Sequence, residues 1–356
     1  MDELRAAFPI FERLAYLNAG TSGPVPRAAV EVVSRELATD ADVGRGDKAY
    51  FEGRVIGRLD ALRERVAPLL GCAPGELALT DSTTGGVNTV VSALDLGPGD
   101  EVLTSDEEHP GVLAPLGVGR ARRGFAVRTV PFGELPGEVG PRTKLVAASH
   151  VSWVTGRILD VAPIDVPVLL DGAQGIGAID VDVGSLGCDF YAASGQKWLC
   201  GPLGLGYLYV RPDQIAELTP SHAGYGTLAD PEDPLALNMH EDARRFDTGL
   251  VPPHHAAWAL AALDLLAADG IESVYERAAS LADGFAGALA ERGLEVAPRG
   301  RSTLVAWRSP DPEADVATLR EQDVVLRYIP GRPYVRASIG AWNSEEELER
   351  LLSLVA

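Results

Sequence analysis

The sequence has little positive charge, little cysteine and no long apolar run, and each shortage excludes a class of protein. The formal net charge is −20, which argues against nucleic acid and anionic membranes as partners, because both favour basic patches. The three cysteines, Cys72, Cys188 and Cys200, form no CxxC or Cys/His metal motif, which fits a reducing compartment and predicts no bound metal. Because the first residues are acidic rather than a signal peptide and no apolar run could span a bilayer, we expect a cytoplasmic protein that binds a small molecule.

Lysine is scarce as well, and this makes the few lysines informative. Lys48, Lys144 and Lys197 are the only lysines among 31 basic residues. Lys197 lies in SGQKWLCGPLG, a stretch of small and apolar residues. A lysine in such a setting, in a chain that otherwise uses arginine, indicates chemistry that a guanidinium cannot perform, and the foremost candidate is a nucleophilic amine that forms a Schiff base. The alternative is a surface lysine whose stem covers apolar surface.

Short apolar runs alternate with helical or loop segments from residue 77 to about 210. These runs are ELALT, DEVLTS, KLVAASH, PVLLDGA, DFYAAS and GLGYLYV. The alternation predicts an α/β fold with a mostly parallel sheet. In such sheets ligands bind at the carboxyl ends of the strands.

The length of 356 residues leaves room for a second, smaller domain. A turn-rich loop over 220–238 precedes helical apolar spacing and two further strand patterns, which predict an α+β unit. We therefore expect a large domain over 18–248 and a small domain over 249–356, with residues 1–17 packing on the small one.

Three other stretches contain side chains that suit one ligand together with Lys197. Asp171 ends the apolar run VPVLLD, where a buried carboxylate needs a cationic partner such as a protonated ring nitrogen. The stretch LTDSTTGGVN opens a helix, whose free N–H groups suit a phosphate. His109 of SDEEHPG follows a strand, where an imidazole can stack on a flat ring.

Taken singly, each of these signals also fits a plainer role: a turn cap, an ordinary helix start or a solvated histidine. Their order along the chain is more specific. The cofactor pyridoxal phosphate needs this set of groups: a helix start that binds phosphate, a histidine that stacks on the ring, a carboxylate at a strand end and a lysine after another strand.

The sequence resembles a known family along nearly its whole length. It is similar to the class V aminotransferase and cysteine desulfurase group of fold-type-I pyridoxal phosphate enzymes in these motifs: YLNAGTSGPVP, STTGGVN, EHPG, SHVSWVTGRILDV, DGAQ, SGQKW, RRFDTG and VRAS. Within the group, the sequence most resembles the cysteine/cystine C–S lyases. This resemblance rests on EHPG, SWVTG, KWLCGPLGLGYLYV and the pair Arg327 and Arg336. The resemblance implies a large domain with a mostly parallel seven-stranded sheet, a smaller α+β C-terminal domain, and a homodimer.

The resemblance also implies how the cofactor pyridoxal phosphate is held. Lys197 would bind it as a Schiff base and later move the Cα proton, Asp171 would hold the ring N–H, and His109 would stack on the ring. Gln174 would contact the ring hydroxyl, and Gln196 would lie beside the lysine. The phosphate would be bound by Thr83, Thr84 and Ser194. Thr227 would contact the phosphate of the neighbouring subunit.

A second set of residues would bind an amino acid substrate. Arg336, together with Arg327, would bind its carboxylate, a task suited to a planar bidentate donor. Asn18 and Trp153 would border its side chain. The alternative for the two arginines is an ion pair on the face of a strand.

Three departures from the family pattern bear on the reaction. Gln196 stands where the family often has His, and Trp153 stands where desulfurases have Asn. A desulfurase also needs a cysteine nucleophile in its C-terminal domain, and residues 201–356 contain no cysteine. Cys200 lies near Lys197, but a free cysteine is commonly a small buried hydrophobic residue. Formation of a persulfide on the protein is therefore not expected.

We expect a pyridoxal phosphate-dependent C–S lyase. It would catalyse β-elimination on a sulfur-containing amino acid, namely cysteine, cystine or a cysteine S-conjugate, and release a thiol or persulfide, pyruvate and ammonia. One cofactor fold hosts many reactions. A class V aminotransferase, an isopenicillin-N-epimerase-like amino acid epimerase and a non-catalytic relative that only binds the cofactor therefore stay open.

Overall fold

The strands form one large sheet and two small ones. The computed structural model describes residues 2–247 and 249–355. Positions 1, 248 and 356, at which predicted domains begin or end, lie outside the described residues. The strands in this range are β1 Ala15–Tyr16, β2 Leu77–Thr80, β3 Glu101–Ser105, β4 Ala126–Val130, β5 Thr143–Ser149, β6 Val168–Asp171, β7 Phe190–Ser194, β8 Gly206–Val210, β9 Leu304–Arg308, β10 Val324–Val325, β11 Arg327–Tyr328 and β12 Tyr334–Ser338.

The large sheet has seven strands in the order β2-β8-β7-β6-β5-β3-β4. Strands β3 to β7 pair in parallel, whereas β8 is antiparallel to both β7 and β2. The expected mostly parallel sheet is confirmed, and the six apolar runs of the sequence coincide with six of its strands. The sequence pattern does not single out β4, because this edge strand is only partly buried and Arg128 and Thr129 interrupt its apolar residues.

Helices cover the sheet and connect its strands. The α-helices in the described residues are α1 Asp2–Ala6, α2 Arg27–Val43, α3 Gly57–Val66, α4 Thr83–Ala93, α5 Pro110–Arg123, α6 Val183–Leu186, α7 Pro212–Glu217, α8 Pro253–Ala267, α9 Ile271–Glu291, α10 Pro312–Glu321 and α11 Glu345–Leu354, and a π-helix spans Tyr50–Ile56. Shorter 3₁₀ turns complete the connections. Over the part of the chain that is described, no helix has the length and apolarity to cross a membrane.

Both faces of the large sheet are buried. Along β2, Leu77 and Leu79 pack into one hydrophobic cluster and Ala78 into another. The first cluster includes apolar residues of α3 and α8, and the second those of α4 and α5. Successive side chains of a strand point to opposite faces, so a strand buried on both sides is apolar at every position. This explains why these strands appear as continuous apolar runs.

Local sequence signals determine where the helices near the sheet edge begin. Ser82 caps α4, because its side chain accepts a hydrogen bond from the Gly85 N–H. His109 caps α5 in the same way, and Pro110 occupies the first helical position. Ser344 caps α11 in a reciprocal capping box with Glu347. Such caps satisfy N–H groups that the helix itself leaves free.

The C-terminal part of the chain packs around a second sheet. Strands β11, β12 and β9 form it in antiparallel order, and β1 pairs with β10. Ala15 and Leu17 belong to the hydrophobic cluster of this part, so the N-terminal segment lies against it. Helix α8, in contrast, contributes to the cluster shared with α3. The predicted division into domains over 18–248 and 249–356 stays a prediction.

A close contact under the sheet edge requires glycine after Asp171. A Cβ atom at Gly172 would lie 1.9 Å from Cε1 of Tyr191. Tyr191 is fully buried, and its hydroxyl lies 3.0 Å from Nδ1 of His150, so its ring has no free space into which to move. The glycine of DGAQ is therefore explained by packing against Tyr191.

Replacing this glycine tests the packing beneath Asp171. We expect Gly172→Ala to lower the free energy of unfolding by about 1–3 kcal/mol, because the added methyl group overpacks a rigid site. Urea denaturation of the variant and the parent protein measures the difference.

Gly287→Ala is the matched control. Gly287 lies in α9, and no atom lies within 4 Å of a Cβ at that position. Alanine should stabilise this helix by about 0.5–1 kcal/mol. Equal stability of Gly172→Ala and the parent would contradict the packing argument.

Candidate active site

A cavity of about 230 Å³ lies at the carboxyl ends of the strands of the large sheet. Ten of the thirteen predicted site residues line it: Thr83, Thr84, His109, Trp153, Asp171, Gln174, Ser194, Gln196, Lys197 and Arg327. Four lining residues were not singled out from the sequence: Gly20, Thr21, Ser82 and Ala173. The motif NAGTSGP contains two of these, but nothing in its local pattern indicates which of its side chains face the cavity.

Lys197 follows β7 and is both desolvated and reachable. Protein atoms surround it, and the surface that it keeps accessible lines the cavity. Burial lowers the pKa of its amine to about 8, the nearby Asp171 carboxylate acts in the opposite direction, and the charges of Arg336 and Arg327 add to the lowering. A buried amine with this pKa is partly neutral near neutral pH and can act as a nucleophile or base. Lys197 is therefore not a surface lysine.

Asp171 ends β6 and is 6% exposed. One of its oxygens, Oδ1, accepts a hydrogen bond of 2.9 Å from the Ala173 N–H. Burial raises the pKa of this carboxyl, and the Lys197 amine counteracts the rise. Among the described residues, no cationic nitrogen lies within 4 Å of it. A buried carboxylate in this position fits a protonated ring nitrogen as its missing partner.

At one end of the cavity, several hydrogen-bond donors have no acceptor in the described protein. Thr83 and Thr84 open α4, so their backbone N–H groups lie at the positive end of the helix dipole. The hydroxyl groups of Thr83 and Ser194 are buried, and neither has a hydrogen-bond partner within the described part of the chain. Buried hydroxyl groups are normally hydrogen-bonded. This end therefore fits a phosphate group, and the set of donors fits pyridoxal phosphate.

His109 and Trp153 form one wall. Their rings meet edge to face, with centroids 5.0 Å apart. Nδ1 of His109 accepts a 3.0 Å hydrogen bond from the Gly111 N–H, and burial lowers the pKa of the ring to about 4, with smaller contributions from Lys197 and the arginines. His109 is therefore a neutral ring at neutral pH, which suits stacking rather than proton transfer.

Gln174 and Gln196 have backbone partners as well as a place in the cavity wall. The amide of Gln174 donates to the Gly20 carbonyl (2.8 Å) and accepts from the Trp198 indole (2.9 Å). One amide N–H of Gln174 is left for the predicted contact with a ring hydroxyl. The carbonyl of Gln196 accepts from the Gly23 N–H at 2.7 Å. Both residues therefore hold the N-terminal segment over the cavity.

Arg327 and Arg336 face each other across β11 and β12. Arg327 lines the cavity, its guanidinium lies 5.2 Å from the Trp153 ring, and its Nη1 donates to the Thr21 hydroxyl at 3.2 Å. In residues 2–247 and 249–355, no carboxylate forms an ion pair with either arginine. Two like charges opposite each other destabilise a sheet unless an anion lies between or beside them. The ion-pair alternative is therefore excluded in this range, and a ligand carboxylate fits.

Arg336 lies behind the cavity wall rather than in it. It is fully buried, and its Nη1 donates to the Trp153 carbonyl, whereas Nε and Nη2 have no partner in the described residues. A Cβ at Gly20 would lie 3.0 Å from Nη2, so a glycine keeps this nitrogen close to the cavity. Burial lowers the pKa of Arg336 to about 9, and the charge of Arg327 adds to the effect.

Two other predicted residues do not line the cavity. Asn18 accepts a 2.8 Å hydrogen bond from the Thr21 hydroxyl, so it orients Thr21 instead of bordering a ligand. Thr227 is buried, donates to the Asp247 carbonyl (3.1 Å) and accepts from the Gly224 N–H (3.0 Å). Its predicted contact with the phosphate of a neighbouring subunit stays a prediction. Within the described chain, no group of three or more metal-ligating side chains is placed to hold a metal ion.

Comparison with known proteins decides the family. The model of the aminotransferase class V family matches residues 15–351. The chain belongs to this family. It is 30% identical to isopenicillin N epimerase of Streptomyces clavuligerus, over 98% of this chain and 96% of the relative, and 28% identical to a cysteine desulfurase of Serratia proteamaculans, over 99% and 97%.

Solved structures of the cystine C–S lyase C-DES have the same fold. A C-DES mutant with glycine covalently linked to its pyridoxal phosphate cofactor matches with a TM-score of 0.92 at 28% identity, covering 98% of each chain. C-DES in complex with its product cysteine persulfide matches with a TM-score of 0.90 at 29% identity, covering 97% of this chain and 98% of that one. The expected family and fold type I are confirmed, and pyridoxal phosphate as the cofactor agrees with both comparisons.

The covalent attachment point can be tested without a substrate. We expect borohydride treatment of the cofactor-loaded protein to fix the cofactor permanently on Lys197, because the buried amine is the nucleophile that the cavity presents. Lys197→Ala should remain unlabelled. Peptide mass spectrometry of the digested protein locates the label.

Lys144→Ala is the matched control, because Lys144 is an exposed lysine of β5 away from the cavity. It should be labelled on Lys197 to the same extent as the parent. A label on Lys144 or Lys48 in the parent protein would contradict the assignment.

Proposed function

We propose that this protein is a pyridoxal phosphate-dependent C–S lyase. Its substrate is cysteine, cystine or a cysteine S-conjugate. Cleavage of the Cβ–S bond, with loss of the Cα proton, releases a thiol or, from cystine, a persulfide. Water then converts the remaining three-carbon fragment to pyruvate and ammonia.

The composition of the cavity wall carries the proposal. Lys197, whose amine has a pKa of about 8, is the base that the described lining residues offer, since His109 has a pKa of about 4 and Asp171 is assigned to the ring nitrogen of the cofactor. None of the described residues that line the cavity is a cysteine. One base is sufficient for elimination, and without a thiol the sulfur leaves with a product instead of remaining on the protein.

The burial of Cys200 also supports release of the sulfur with a product. It is 1% exposed, and burial raises the pKa of its thiol well above the ordinary value. Its Sγ packs in the hydrophobic core, 3.9 Å from the Trp198 carbonyl. A buried, protonated thiol is neither a nucleophile nor a sulfur acceptor.

The residues around the cavity divide the chemistry among them. When bound, pyridoxal phosphate supplies the electron sink for the negative charge that develops at Cα. Lys197 would hold the cofactor in the resting enzyme and, once released by the substrate amine, would accept the Cα proton. Asp171 would hold the ring N–H, and the α4 N-terminus with Ser194 would hold the phosphate. Arg327, in the cavity wall, and Arg336, through the unpartnered Nη2 that lies next to Gly20, would bind the substrate carboxylate and so orient the Cα–H bond toward the lysine.

An epimerase is the second candidate, because isopenicillin N epimerase is among the similar sequences. Inversion at Cα is served best by a second proton donor on the face opposite the lysine. Apart from Lys197 and from Asp171, which is assigned to the ring nitrogen, the described cavity wall offers hydroxyl, amide, indole and guanidinium groups and the neutral His109, none of which is a suitable acid near neutral pH. The wall therefore favours elimination. The homodimer and the cytoplasmic location stay predictions.

The reaction is tested with L-cystine. We expect cofactor-loaded protein to release many equivalents of pyruvate per active site, because elimination regenerates the enzyme in each cycle. A coupled lactate dehydrogenase assay measures pyruvate, and Lys197→Ala should release none.

Three outcomes would change the assignment. Recovery of the D-amino acid without pyruvate would indicate an epimerase, and stable conversion of the cofactor to its amine form would indicate an aminotransferase. Cys200→Ala should retain pyruvate release. Its loss in a variant that still holds the cofactor would restore a role for the thiol.

Arg336 allows activity and stability to be separated. We expect Arg336→Met to lower kcat/KM for the sulfur substrate about 100-fold or more, because a buried charge-assisted contact to the carboxylate is lost. The free energy of unfolding should not fall, because methionine removes a buried cation that has no anionic partner in the substrate-free protein.

Steady-state kinetics and urea denaturation of the same preparation measure both quantities. Arg308→Met in the neighbouring strand β9 is the matched control, because Arg308 is exposed and pairs with Glu295. Its kcat/KM should equal that of the parent. A parallel loss of activity and stability in Arg336→Met would indicate a structural role for Arg336.

A further inference from the structure

A buried carboxyl group that none of the roles above uses lies beside the cavity. Glu108 precedes the stacking His109 and is 5% exposed. Its Oε1 accepts a 2.5 Å hydrogen bond from the Ser105 hydroxyl, and its Oε2 accepts one of 2.7 Å from the Ser149 hydroxyl. Nowhere in residues 2–247 and 249–355 does a lysine or arginine form an ion pair with it. Burying a carboxyl group without a cationic partner costs free energy, so its position needs an explanation.

The sheet places Glu108 next to the strand that carries Asp171. Ser105, Ser149 and Asp171 end β3, β5 and β6, which are consecutive neighbours in the sheet. Ser149 and Asp171 are direct partners in the parallel register. Glu108 bonds to the first two members of this row, and its hydrogen bond to Ser149 therefore reaches the residue paired with Asp171.

Glu108 changes its protonation state near neutral pH. Burial raises its pKa to about 7, the two serine hydroxyls act in the opposite direction, and the charge of Asp171 adds to the rise. The other titratable groups near this row are Lys197 and Tyr191, which both interact with Asp171, and the rings of His109 and His150; burial raises the pKa of Tyr191 well above its ordinary value. Burial keeps both imidazole rings neutral, each with a pKa of about 4.

We propose that Glu108 is a positioning residue for Asp171. Its bridge between the Ser105 and Ser149 hydroxyls holds the strand ends beside Asp171, and its charge adjusts how strongly the groups that hold the cofactor retain their protons. The proposal rests on pyridoxal phosphate as the cofactor and not on the lyase reaction.

A pH titration of the cofactor-loaded protein tests it in the absence of substrate. Glu108→Gln keeps the size of the side chain and removes its charge. A negative charge stabilises nearby protonated groups, so its removal should lower the midpoint of the pH titration of the visible cofactor absorbance by about half a pH unit. Because no substrate is present, failure to release pyruvate from cystine leaves this result unaffected.

Glu107→Gln is the matched control. Glu107 is the adjacent carboxylate, and its Oε2 accepts from the hydroxyls of Ser152 and Thr155 in the loop that carries Trp153. Its titration midpoint should stay within about 0.1 pH unit of the parent, because it bonds to the Trp153 loop and not to the residue paired with Asp171. An unchanged midpoint in Glu108→Gln, or an equal shift in Glu107→Gln, would overturn the proposal.

Ser149→Ala provides an independent variant if Glu108→Gln does not retain the cofactor. It removes one hydroxyl donor and so disfavours the charged form of Glu108. The midpoint should move in the same direction as for Glu108→Gln, by a smaller amount. A midpoint identical to that of the parent, with full cofactor content, would overturn the proposal in this variant as well.

Discussion

Desolvation of charged groups around one small cavity is the constraint on which the remaining structure depends. Lys197, Arg327 and Arg336 bring three positive charges to this region, and Asp171 is the carboxylate that lines it. Burial without partners lowers the pKa of Lys197 and Arg336, which shows that the cations lack sufficient counter-charge. In the proposed function, a phosphate and a substrate carboxylate would supply the missing anions. The same desolvation therefore activates the lysine and produces affinity for ligands that carry both groups.

The fold maintains these charges in place by bringing distant segments together at one sheet edge. The ends of β6 and β7 supply Asp171 and Ser194 from adjacent strands, and the N-terminal segment crosses the cavity with its Gly23 N–H bonded to the Gln196 carbonyl. That segment in turn pairs with the C-terminal part through β1 and β10. The arginines of β11 and β12 thus reach a site whose other residues belong to the large sheet. A change in packing at any of these contacts alters the electrostatics of the cavity.

The parts of the site that sequence reasoning finds are those that local pattern determines. Lys197 and Asp171 follow or end apolar strands, and Thr83 opens a helix, so their position at the carboxyl edge follows from the parallel sheet alone. The direction of other side chains depends on long-range register. Arg336 lies behind Gly20 because of its pairing with Arg327, and Asn18 supports Thr21 instead of lining the cavity. Strand β4 and the buried Glu108 carry no local signal, because a partly buried edge strand and a loop glutamate look ordinary in the sequence.

Relatives with different reactions share this fold, and we propose that the choice of reaction lies in the groups around Cα. Epimerase, desulfurase and lyase relatives align over nearly the whole chain, and the fold alone does not separate them. A desulfurase requires a reactive thiol, and Cys200 is packed in the core with a protonated sulfur. An epimerase is served by a second acid, whereas the indole and the neutral imidazole that form one wall of the cavity provide none. With one base and no sulfur acceptor, the arrangement suits a reaction in which the bond at Cβ breaks and both fragments leave.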